Sequence, residues 1–310
     1  MPRFATIDIG TNSVLLLVAD RGPDGVFRAL VERADITRLG RGVDTTRALA
    51  PEAMDETLRV VKAYADEARS LGAEGLAVSA TSAARDAANG AAFMAAARER
   101  AGVQVEILSG ELEAQLAFSS AWTDFGRAGH PLVVIDIGGG STEVVFGVSA
   151  DQFTFRRSFD VGSVRLTERL VRGDPPGPEN RRRVEEHLRQ TFKALPPPAE
   201  GFGVVGVAGT VTTLFAVLHA IEPYDAARVH GGTLGLAELR ALADRLCALP
   251  LDARRRLPGL QPKRADVIPV GALILLVALE QLGADGCRVS DKGLRWGLLA
   301  HRFGGPRAPG

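Results

Sequence analysis

Apolar and polar positions fall into short runs that write one phrase twice along this chain. Phe4-Ala5-Thr6-Ile7-Asp8-Ile9 leads through Gly10-Thr11-Asn12-Ser13 into a β-rich run from Val14 to Val18. Leu132-Val133-Val134-Ile135-Asp136-Ile137 leads through Gly138-Gly139-Gly140-Ser141-Thr142 into a run from Val144 to Val148. Each copy predicts a strand, a tight turn and a returning strand, with an acid at the mouth of the turn. Glycine lets the backbone come close to a ligand, and the exposed N–H groups of such a turn suit an anionic oxygen. One copy alone reads as an ordinary glycine hairpin. Repetition shifts the reading, because two such turns can grip a phosphate chain.

The rest of the pattern repeats as well. Third strands are predicted at Val26 to Arg33 and Phe153 to Phe159, and helices at Pro51 to Leu71 and Glu179 to Leu195. A strand leading into a small-residue helix start recurs at Gly75-Leu76-Ala77-Val78-Ser79-Ala80-Thr81 and at Val204-Val205-Gly206-Val207-Ala208-Gly209-Thr210. Each half closes on strand plus helix, at Val103 to Leu108 before Ser109-Gly110, and at Cys287 to Ser290 before Asp291-Lys292-Gly293. The second half differs by an insertion of helical patterns between Leu214 and Gly271. This predicts two α/β domains of the same element order with the substrate in the cleft between them. Their expected bounds are 1–124, joined by the C-terminal helix at about 292–310, and 125–291.

With 310 residues there is room for two cores. Lys+Arg and Asp+Glu both number 37, so no global field draws in a polyanion, and nucleic acid is not expected as a partner. Two cysteines, Cys247 and Cys287, make neither a disulfide framework nor a metal spacing, which suits a reducing compartment. No basic-then-apolar leader precedes the first strand, so a cytoplasmic location is expected. The longest apolar run, Val267 to Leu279, is too short for a bilayer and reads as a buried helix, so no membrane partner is expected.

Six segments in order carry a resemblance: Asp8 to Ser13, Ala80 to Arg85, Ser109-Gly110-Glu111-Leu112-Glu113-Ala114, Asp136 to Glu143, Gly206 to Thr210 and Val289-Ser290-Asp291. They resemble the exopolyphosphatase / guanosine pentaphosphate phosphatase (Ppx/GppA) family, in its short two-domain form. The resemblance implies two duplicated actin-like (ribonuclease H-like) domains with an interdomain active site. It implies removal of a terminal phosphate from inorganic polyphosphate or guanosine pentaphosphate with Mg²⁺ or another divalent cation, and a homodimer. It assigns Glu113 as the general base; Asp136 and Glu143, with Asp8 less firmly, as metal ligands; and Asn12, Ser13, Arg85, Gly138, Gly139, Gly140, Ser141, Thr210 and Arg264 as phosphate-binding.

Each residue also has a plainer expectation. Glu113 reads as a solvated helix acid, Asp8 as closing its own turn, Glu143 as an exposed strand residue, and Arg85 as pairing with Asp86. His230 has no chemical task. Two basic stretches, Arg165 to Arg183 and Arg254 to Arg264, read mainly as solvated faces, with Arg264 singled out to hold a distal phosphate. Leu112 and Trp296 stand where many relatives carry acids. The competing functions are a guanosine pentaphosphate phosphatase, a kinase or ATPase of the same superfold, and a non-catalytic polyphosphate or alarmone sensor.

Overall fold

A computed structural model describes residues 1–305. The chain divides into two compact units, one comprising residues 1–116 with the helix from Leu294, the other residues 117–293.

In the first unit, β1 (Arg3–Ile9), β2 (Ser13–Arg21) and β3 (Phe27–Ile36) form an antiparallel meander. Then come α1 (Val43–Thr46), α2 (Pro51–Ser70), β4 (Gly75–Ala80), α3 (Ser82–Asp86), α4 (Gly90–Ala101), β5 (Val105–Ile107) and α5 (Gly110–Phe125), the last running on into the second unit. The sheet order is β3-β2-β1-β4-β5, with β4 and β5 parallel to β1.

The second unit continues with β6 (Leu132–Ile137), β7 (Thr142–Gly147), β8 (Phe153–Phe159), α6 (Ser163–Leu170), α7 (Gly177–Phe192), β9 (Gly203–Val207) and α8 (Ala208–Leu218). After α9 (Ala226–Val229), β10 (Thr233–Gly235), α10 (Leu236–Ala248) and α11 (Leu251–Arg254), a 3₁₀ turn at Pro262–Arg264 leads to α12 (Ile268–Leu282), β11 (Gly286–Val289) and α13 (Leu294–Phe303). The sheet order, β10-β11-β9-β6-β7-β8, repeats the first sheet strand for strand and adds β10 at the edge. The two copies agree even in their irregularity. The β2–β3 ladder slips between Val18 and Ala19, and β7–β8 slips between Phe146 and Gly147, at corresponding positions of the two meanders.

Burial explains the helix choices. Pro269 in the first turn and left-handed Gly283 at the end bound α12, whose residues are buried almost all round, as an apolar helix without a polar face must be. It forms the centre of the second core with Val184, Leu188, Phe192, Leu214 and Leu246. In the first unit α2 and α4 cover one face of the sheet. Helix α13 covers the other: Phe303 stacks on Phe4 with 4.6 Å between ring centroids, and Thr6 Oγ1 donates to the Arg295 carbonyl at 3.0 Å. Leu112 sits with Leu108, Leu116, Leu294 and Leu298 in an apolar seat, which accounts for leucine there rather than an acid. Among the described residues no helix is long and apolar enough to cross a membrane.

Candidate functional site

In the first unit the β1–β2 turn closes with Gly10 N–H donating to the Ser13 carbonyl at 2.9 Å. The turn's carbonyls face the segment after β3: Asn12 O accepts from Thr37 and Arg38, and Thr11 O from Gly40. Thr11 and Ser82 hydroxyls share a buried hydrogen bond of 2.8 Å, which ties the turn to the start of α3. Asp8 lies at the end of β1, opposite Leu15 on β2 and Ser79 on β4. The Asn12 side-chain oxygen is buried and has no hydrogen-bond partner among the described residues.

The same unit joins Arg85 to Glu113. Ser109 Oγ accepts from Leu112 N–H at 3.2 Å and caps α5, leaving Glu113 in the first turn, where the helix dipole favours a carboxylate. Glu113 is buried, and Arg85 Nη1 donates to Glu113 Oε2 at 3.2 Å and to the Leu108 carbonyl at 2.9 Å. Arg85 therefore does not pair with its sequence neighbour Asp86 in the way the plainer expectation held. Nor is Glu113 a solvated acid, because the start of α5 packs its side chain against α3.

In the second unit the β6–β7 turn closes identically, Gly138 N–H to the Ser141 carbonyl at 3.0 Å. Its carbonyls are consumed by α6: Gly138 O accepts from Ser163 N–H, and Gly139 O from Val164 and Arg165 N–H. The connection must be glycine at 162, since a Cβ there would fall 2.4 Å from Gly139 O. With the carbonyls turned one way, the successive N–H groups of Gly139, Gly140 and Ser141 are left without an acceptor among the described residues. A run of N–H groups of this kind is an anion-binding concavity.

Asp136 and Glu143 are direct cross-strand partners on β6 and β7, so their carboxylates share one face of the sheet. Glu143 is 1 % exposed and not the exposed strand residue of the plainer expectation. The next strand completes the row: Ser158 lies opposite Glu143 and donates to its Oε1 at 2.6 Å. Two buried carboxylates side by side are a hard-oxygen donor set of the kind Mg²⁺ accepts when waters or phosphate fill its other positions. Among the described residues no three His, Cys, Asp or Glu side chains gather as a cage.

Thr210 and Arg264 come together beside this turn's supporting helices. Ala208 takes a left-handed φ of 69° where β9 turns into α8, a conformation costing roughly 1–3 kcal/mol outside glycine. A Cβ on Gly271 of α12 would fall 2.5 Å from Thr210 Cγ2 and 3.6 Å from Ser163 Cβ, so glycine there lets α8 and α6 approach α12 closely. Arg264 lays its guanidinium against Gly209, where a Cβ would meet Nη1 at 2.6 Å. Burial pulls its pKa down to about 10, which leaves it cationic at neutral pH.

Two arginines read as solvated are not. Arg254 is buried and pairs with Asp174 at 2.7 Å. Arg165 is buried and its Nε donates to the Gly140 carbonyl at 2.6 Å. Ser158 and Arg165 are the site residues the sequence reading missed; the strand alternation of Phe153 to Phe159 was the one available signal for the first.

The profile of the Ppx/GppA phosphatase family matches residues 17–303. The chain belongs to this family. It is 37% identical over 314 aligned positions to exopolyphosphatase 2 of Mycobacterium tuberculosis, covering 96% of this chain and 98% of that protein. Among solved structures, the Ppx/GppA protein of Aquifex aeolicus is 34% identical with a TM-score of 0.81, covering 97% of each chain. An exopolyphosphatase from Cytophaga hutchinsonii is 25% identical with a TM-score of 0.88, covering 98% of this chain and 99% of its own. The α/β fold with two actin-like halves and the phosphoanhydride-hydrolase class follow from this membership.

Proposed function

We propose that this Ppx/GppA phosphatase is an exopolyphosphatase that hydrolyses the terminal phosphoanhydride bond of inorganic polyphosphate. The observation that carries the reading is the β6–β7 turn, whose three successive unaccepted N–H groups stand next to a buried carboxylate pair. The identity to a protein named exopolyphosphatase 2 supports polyphosphate as the substrate.

In this reading the N–H groups of Gly139, Gly140 and Ser141 bind oxygens of the terminal phosphoryl group, and the corresponding turn at Asn12 and Ser13 contributes polar groups of its own. Thr210 and Arg264 hold phosphate oxygens further along the chain. Asp136 and Glu143 hold Mg²⁺, with Asp8 in a lesser part; the ion, when bound, neutralises charge on the phosphate oxygens. Glu113 accepts the proton of the attacking water. A carboxylate is the form such a base needs. The Arg85 hydrogen bond holds Glu113 Oε2 against α3. Because the transition state is loose, orientation of water and stabilisation of peripheral charge supply most of the rate.

Phosphate release from polyphosphate, guanosine pentaphosphate and ATP, measured in parallel on wild type and Glu113→Gln, tests this. Turnover of polyphosphate above the other two is expected, with a loss of about 10²–10⁴-fold in Glu113→Gln. Undiminished release by that variant would sink the base assignment. Faster turnover of guanosine pentaphosphate or ATP would replace the substrate.

A further inference from the structure

We infer that Arg165 is a positioning residue for the phosphate-holding turn, a role that rests on the reading of that turn as the phosphoryl site. Arginine in the first turn of an amphipathic helix ordinarily extends into water. Here it is 8 % exposed, and its Nε–H reaches back to the carbonyl of Gly140 at 2.6 Å while its own backbone N–H binds the carbonyl of Gly139 at 3.0 Å. One residue therefore holds two consecutive carbonyls of the triple-glycine turn.

The consequence follows from peptide geometry. A peptide plane carries its C=O and the next N–H on opposite sides, so fixing the Gly139 carbonyl fixes the direction of Gly140 N–H, and fixing the Gly140 carbonyl fixes that of Ser141 N–H. A glycine run has many other conformations available and loses much entropy when ordered. The backbone N–H groups of Val164 and Arg165 remove that freedom at Gly139 and the Arg165 side chain removes it at Gly140 before the anion arrives, which is where preorganised donors gain over flexible ones. The charge-assisted bond at Gly140 is also stronger than a neutral one. Lysine cannot substitute, because a compact ammonium lacks the Nε–H held at a fixed position along the stem.

Calorimetric binding of orthovanadate, a mimic of the transferring phosphoryl group, to wild type, Arg165→Lys and Arg165→Ala tests the inference alongside kcat and KM for polyphosphate. Arg165→Ala should bind orthovanadate about tenfold more weakly and lose kcat by a similar factor. Arg165→Lys should lose as much despite keeping its charge. Guanidinium ion at millimolar concentration should restore part of the loss in Arg165→Ala and none in Arg165→Lys, a readout that a purely structural role would not move. Wild-type orthovanadate affinity in Arg165→Ala, or full function in Arg165→Lys, overturns the inference. If Arg165→Ala does not fold, Arg165→Lys decides alone by the same orthovanadate measurement. Wild type that binds orthovanadate and releases no phosphate from polyphosphate would refute the proposed substrate instead, leaving the turn's role to the binding comparison.

Discussion

Across β1, β2 and β3 one row of opposed side chains reads Asp8, Leu15, Ala34; across β6, β7 and β8 the corresponding row reads Asp136, Glu143, Ser158. The backbones around these rows are copies, down to the closing hydrogen bonds of 2.9 and 3.0 Å and the strand slip at corresponding positions. The side chains are not copies. On the β2 and β3 side the first row sets Leu15 and Ala34 beyond its single carboxylate, whereas the second gathers two carboxylates and a hydroxyl that orders one of them. The turns diverge in the same sense. Thr11 and Asn12 stand where Gly139 and Gly140 do, so the first turn presents side chains and the second presents backbone. The two meanders share one scaffold, and the proposed chemistry of cation and phosphate rests on the residues that differ.

The largest effects should come from erasing the asymmetry. Asp136→Asn is expected to lower kcat for polyphosphate by about 100-fold and raise the Mg²⁺ concentration needed for activity, and Asp8→Asn to cost about tenfold. Glu143→Leu, which writes the first row into the second, should match Asp136→Asn. The measurement is phosphate release over a Mg²⁺ titration. Equal losses from the two asparagine variants would mean that the rows work as equals.

A mid-sized contrast concerns the glycines that connect strand to helix behind each turn. A Cβ on Gly162 meets backbone, the Gly139 carbonyl oxygen at 2.4 Å and the Gly140 carbonyl carbon at 2.6 Å, whereas one on Gly40 meets chiefly the Thr11 side chain at 2.3 Å. Backbone cannot rotate away, so Gly162→Ala must displace the turn itself. It should destabilise the protein by about 1–3 kcal/mol, the usual range for overpacking, and cut kcat as well. Gly40→Ala can be accommodated by turning Thr11, at the expense of its bond to Ser82, about 1 kcal/mol, with kcat nearly retained. Thermal melts with parallel rates separate the two; retained kcat in Gly162→Ala would show that the turn tolerates displacement.

What could be read in advance follows the range of the interactions. Alternation with period two and glycine punctuation are local, so both meanders and their turns were legible, whereas the opposition of Asp136 and Glu143 is a matter of strand register. The buried apolar helix within 267–282 was legible for the same reason. Strand β10 was not, because three residues after two glycines carry no periodicity. Arg165 and Arg254 misled since a cation in an amphipathic pattern looks solvated; only the packing of α6 on the turn, and Asp174 far back in the chain, reveal their burial. The partner of Arg85 was missed because its neighbour in sequence is Asp86, while its neighbour in space is Glu113.

Ser158 is the subtlest member of the asymmetric row, since no chemistry of its own is asked of it. Its hydroxyl donates to Glu143 Oε1 at 2.6 Å, which occupies one lone pair and fixes the carboxylate's rotation. Its counterpart Ala34 has neither the hydroxyl nor an acid opposite to receive it. Removing the hydroxyl should leave Glu143 present but less well aimed, the loss expected when the hydrogen-bond partner of a proposed metal ligand is deleted. Ser158→Ala is therefore expected to weaken Mg²⁺ activation by about tenfold while kcat at saturating Mg²⁺ stays within about twofold of wild type. Ser158→Thr, which restores the hydroxyl, should recover most of that affinity. If Ser158→Ala instead lowers kcat at saturating Mg²⁺ and leaves the Mg²⁺ requirement unchanged, then Ser158 serves the packing of β8 on β7, and the functional row ends at Glu143.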